Sequence, residues 1–409
     1  MIPFQPADAF PVFVKGDVII RTEIETSPKT FQLHSAVLSR HSPWFANAFA
    51  VSASKDHPKW YSFTIEEVDG KVGFVPQRTE GSMPCICHAQ PQVIDGMIIK
   101  TEDTSDEVPT ASAKSTAMVL AASKRTPNAT AALRYYTQII GTFYSIPPEV
   151  SSSNIGMALV QSESLTKIAT ELGSLHLLRS YLGNIFSQHR RALFLAIKSD
   201  PARWIQLAIP LQNQSIYTEC LVHLIGAHPR WNNTWATKRT ALPEDIRNLI
   251  KRKSEEVDRI RTELERDLLL TSLPYGRNNL PLDPTDRGQT ETWITVQVFR
   301  DLLAQRIYKL NSTHATLSRG TLFRGLLTGT LPFLETENVR KICQGTMPSH
   351  WNELHEDLEL LKGHAGKLVA ELAANELMID PDANGVGYLT CAKVKDEDVP
   401  WLATSQSSS

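Results

Sequence analysis

The densest set of potential ligands lies near the C-terminus, in IDPDANGVGYLTC (379–391). Asp380, Asp382, Asn384 and Gly385 take the first, third, fifth and sixth places of a calcium-binding loop, which needs carboxylate and amide oxygens and a turn glycine there. The twelfth place holds Cys391 where a bidentate glutamate belongs, and the eighth is Gly387 instead of an aliphatic residue. An Asp/Asn/Gly turn between a helix and a terminal extended segment accounts for the same residues, and is the expectation. A second set, Cys85-Ile86-Cys87-His88, brings soft ligands together, but no second cluster lies nearby to complete four-coordinate zinc. Lys251-Arg252-Lys253 is basic enough for a nuclear-import patch, yet flanking acids on a helix favour a solvated face. No GxSxG, HExxH, Walker or dinucleotide fingerprint occurs. The expectation is a non-enzymatic chain with no metal and no cofactor.

Composition narrows the partners. Among 409 residues, 42 Lys and Arg face 44 Asp and Glu, so no global field selects nucleic acid or a membrane. Hydrophobic residues at 42% and charged residues at 21% suit a globular chain long enough for two or three domains. No stretch approaches the roughly 18 apolar residues of a membrane span, and the N-terminus lacks the pattern of a signal peptide. Cys85, Cys87, Cys220, Cys343 and Cys391 are few, odd in number and scattered, which points to a reducing compartment, cytoplasm or nucleus.

The elements follow from hydrophobic period. DVIIRTEI (17–24) alternates with period two, TSPKT (26–30) is a turn, and FQLH (31–34) alternates again, which predicts a hairpin. A helix follows from Ser35, and Ser42-Pro43 has the form of an N-cap and first-turn proline opening another. There Phe45, Ala48 and Phe49 share a face. WYSFTIEEV (60–68) reads as a third strand.

Asp17, Phe31-x-Leu33-His34-x-x-x-Leu38-x-x-x-Ser42-Pro43-x-Phe45 resembles the signature of the BTB/POZ domain, an interaction module. The resemblance implies an α+β fold, a small sheet covered by helices, whose signature positions here are Asp17, Phe31, Leu33, His34, Leu38, Ser42 and Phe45. His34, Leu38 and Ser42 are four apart and line the strand-to-helix corner. The family's later helices resemble 132–150 and 159–186, so residues 1–70 and 130–186 form the two parts of one domain. Between them, 71–129 is rich in Ser, Thr and Pro and reads as a low-complexity insertion, an arrangement similar to BTB-domain-containing proteins of filamentous fungi. The resemblance also implies self-association as a homodimer. Phe4, Phe10, Val12 and Phe13 in the apolar N-terminal segment are either dimer contacts or part of their own domain's core. Two further roles are implied: a substrate adaptor on a cullin scaffold, for which Ile65-Glu66-Glu67 is a weak docking motif, or a transcriptional regulator.

From 187 to 409 the pattern is α-helical. Residues 243–270 predict one long helix with the stripe Ile246, Ile250, Val257, Ile260 and Leu264, interrupted by Lys253. Further helices are expected near 292–310, 314–328 and 352–379.

Overall fold

The computed structural model describes residues 10, 13–22, 29–53, 60–68, 71–77, 127–231, 235, 242–274, 276, 280–312, 317–345 and 351–402. It is a mixed α+β chain in two compact units, residues 1–186 and 187–409.

In the first unit, β1 (Val18–Thr22) pairs antiparallel with β2 (Thr30–Leu33) and parallel with β3 (Tyr61–Val68). A fourth strand, β4 (Lys71–Gln77), runs antiparallel to β3, giving the order β2-β1-β3-β4. The parallel β1–β3 pair requires a crossover, and it is supplied by α1 (Ser35–His41) and α2 (Pro43–Ala53). Ile20, Phe31 and Phe63 are in register on one sheet face, with Phe45 packed edge-on to Phe63 at 5.7 Å between centroids. Phe45 is fully buried, a contribution of about 1.5–3 kcal/mol. On the other face Ile19 is buried too, contrary to simple alternation. Its register partners Gln32 and Ser62 are buried with it, and Gln32 Nε2 donates to the carbonyls of Val14 and Gly16.

Strand β4 corrects the sequence boundary at residue 70: residues 71–77, assigned to the insertion, belong to the sheet. The sequence KVGFVPQ hides the alternation behind Gly73 and Pro76. Tyr136 donates its hydroxyl to the Val72 carbonyl at 2.7 Å, so the even residues of β4 turn their backbone groups outward. Pro76, with no N–H to offer, falls on that outward side, as expected for an edge strand. At the far end of the insertion, residues 127–129 open α3 (Pro127–Phe143), and 78–126, including Cys85, Cys87 and His88, lie outside the described residues. Helices α4 (Ile155–Leu172) and α5 (Leu175–Gln188) follow, α4 capped by Asn154 and ended by Gly173 in the left-handed region at φ 69°. Helix α2 packs on α4, and α1 and β4 pack on α3.

The second unit is helical: α6 (Arg191–Ser199), α7 (Pro201–Leu211), α8 (Gln214–Ala227), α9 (Glu244–Leu270), α10 (Thr290–Ser312), α11 (Arg319–Thr328), α12 (Thr336–Cys343) and α13 (Trp351–Val369). Leu268, Phe299, Leu303, Phe323, Leu358 and Leu361 form the centre of one core. Helix α13 stops at Val369, ten residues before the expected end. Beyond it Asn375 binds the carbonyls of Leu377 and Ile379 and accepts from the Leu377 N–H, which turns the chain. The remaining residues, 374–402, form a strap buried against the helices. It approaches so closely that a Cβ on Gly226 would stand 1.9 Å from the Leu389 carbonyl oxygen, and one on Gly320 2.0 Å from that of Tyr388.

Candidate functional site

The signature residues converge on the corner between β2 and α1. Helix α1 has no cap from His34, the residue before it. Asp17 reaches across from the start of β1 instead: Oδ1 accepts from the Ser35 N–H at 2.7 Å and Oδ2 from the Ser35 hydroxyl. A carboxylate there satisfies an orphan donor and complements the helix dipole. The His34 main-chain N–H donates to the Tyr144 hydroxyl at 2.8 Å, which ties the corner to the residue just beyond α3. Burial raises the Tyr144 phenol above its ordinary range, so it stays a neutral partner. Ser42 is buried and does two jobs: its hydroxyl donates to the Leu172 carbonyl at 2.6 Å and accepts from the Phe45 N–H at 3.3 Å. One serine therefore caps the start of α2 and the end of α4. Phe31, Leu33, Leu38 and Phe45 are all buried around it.

Two of the four aromatic and aliphatic candidates for dimer contacts are placed within their own unit. Phe10 packs on Phe31 with centroids 5.3 Å apart, and Phe13 stacks on Tyr144 at 4.5 Å and leans on His34 at 5.1 Å. These half-buried rings cover the corner, which is the own-core alternative for the segment. Phe4 and Val12 lie outside the described residues. Ile65 of the Ile65-Glu66-Glu67 motif is fully buried in β3.

The sequence sets with ligand character resolve into structure. Asp380 Oδ1 accepts from the N–H groups of Asp382 and Ala383, and Asn384 donates to the Asp380 carbonyl, a self-bonded Asx turn. Asp382 pairs with Arg324 at 2.8 Å, while Asn384 accepts from Arg191 and Lys198. The oxygens a cation would use are held by N–H donors, three of them on cationic side chains. Among the described residues no cluster of three or more His, Cys, Asp or Glu could hold a metal. Lys253 interrupts the α9 stripe because it faces Asp398 of the strap, at 2.7 Å, with Arg252 at 3.2 Å from the same carboxylate. Burial raises Asp398, but Lys253, the Lys395 N–H and Arg252 overcome it and hold the carboxyl below its ordinary range. A shallow cleft of about 520 Å³ opens beside Thr321, Arg324, Thr328 and Leu331, yet the Arg324 guanidinium already bonds Asp382 and the Val386 and Tyr388 carbonyls through all three nitrogens.

A buried group escaped the sequence reading. His223 Nδ1 lies 2.6 Å from the Tyr388 hydroxyl, and His223 Nε2 lies 3.8 Å from Glu219 Oε1. Glu219 Oε2 accepts from the Met378 N–H at 3.0 Å. All three side chains are closed off from solvent, so no substrate reaches them. Burial pushes the Glu219 carboxyl up to about 7 and the His223 imidazole down to about 3, and raises the Tyr388 phenol. The available signal was Glu and His at i, i+4 inside the apolar run IYTECLVHLIGA; Tyr388 is too distant in sequence to be paired with them.

Among the described residues no helix is long and apolar enough to cross a membrane. Comparison of the chain with protein-family models, curated proteins and solved structures finds no match.

Proposed function

We propose that the first unit is a BTB/POZ-type interaction domain and that the chain is a non-enzymatic scaffold that self-associates through it. The observation that supports this reading is the shared work of the signature positions. Asp17 caps α1, Ser42 caps α2 and α4, His34 anchors Tyr144 through its main chain, and Leu38 and Phe45 fill the space beneath. Residues at these spacings build a corner. The side-chain bonds of Asp17, Ser35 and Ser42 are spent on the corner's own architecture, which favours function at surfaces.

The test is the mass of the purified full-length chain by light scattering at micromolar concentration. A dimer that dissociates on dilution supports self-association; a monomer at every accessible concentration removes it. Phe10 and Phe13 are engaged within their own unit, so Phe10→Ala is expected to lower stability without changing the mass.

A further inference from the structure

We draw no further inference here: the strongest candidate, the cluster of Glu219, His223 and Tyr388 buried between α8 and the strap, is closed to any ligand, and with Glu219 Oε1 and His223 Nε2 3.8 Å apart, beyond hydrogen-bond distance, a role for it would rest on shifted pKa values alone.

Discussion

Ser42 shows how a single side chain can carry a corner. Its hydroxyl donates to Leu172 and accepts from Phe45, and both partners are buried at helix ends that have no other use for those groups. Ser42→Ala leaves a carbonyl and an N–H unsatisfied at once, a cost of about 1–3 kcal/mol. Chemical denaturation should show the midpoint falling with the slope unchanged. Asp17→Asn keeps the acceptor for the Ser35 N–H; it loses the charge, and its amide NH2 must donate to the Ser35 hydroxyl where the carboxylate accepted, so its loss should be the smaller of the two. A larger loss for Asp17→Asn would show that the charge, not the capping bond, governs the corner. The residue scale was also where the sequence was most readable. A Ser-Pro pair before an apolar helix announces a cap, because the chemistry is local. The identity of the second partner, the Leu172 carbonyl, was not readable, since it comes from 130 residues away.

Elements were legible in proportion to how far a local period determined them. The hairpin, α1, α2 and the third strand follow directly from alternation and capping residues. Strand β4 does not, although Asp69-Gly70 between two runs is the signal of a two-residue hairpin connection. The early end of α13 was invisible because Glu371 to Met378 is rich in good helix formers. Tertiary contact decides there: Asn375 turns the chain and Glu219 receives the Met378 N–H. Helix α9 is the converse case, where a polar break in a stripe was a tertiary contact seen from one side. Lys253 is 12% exposed and Asp398 1%, so their pair is a buried one. Removing either partner takes from the other its shortest ionic contact, and a double-mutant cycle of Lys253→Met and Asp398→Asn should give a coupling of about 0.5–3 kcal/mol. Asp398 sits below its ordinary value, so the stability it contributes is present above the carboxylate range and is lost as pH falls through its lowered pKa. That acid-side loss should shrink in Lys253→Met, with Arg252 and the Lys395 N–H holding the remainder. Additive single effects would mean that the two side chains act independently.

At the scale of the second unit, the strap is part of the core and not an appendage. It contributes Leu377, Ile379, Val386, Tyr388, Leu389 and Val399 as buried side chains, and it supplies partners for Glu219, Arg324 and Lys253. Glycines make room for it: a methyl on Gly226 would meet the Leu389 carbonyl backbone, which cannot rotate aside. Gly226→Ala should therefore destabilise by about 1–3 kcal/mol or more, through forced displacement of the strap. Gly363→Ala is the control. Gly363 is exposed within α13 and its added methyl meets nothing, so that substitution should stabilise by about 0.5–1 kcal/mol. Ending the chain after Ala373 tests the whole assignment. The truncation would uncover the apolar surface that Leu377 to Val399 now covers and leave Glu219 and Arg324 buried without their partners. It should remove cooperative unfolding of residues 187–409, visible as loss of the near-ultraviolet signal of buried Trp204 and Trp235 and as rapid proteolysis of that unit. A truncated chain that keeps the wild-type aromatic signal and transition would make the strap dispensable.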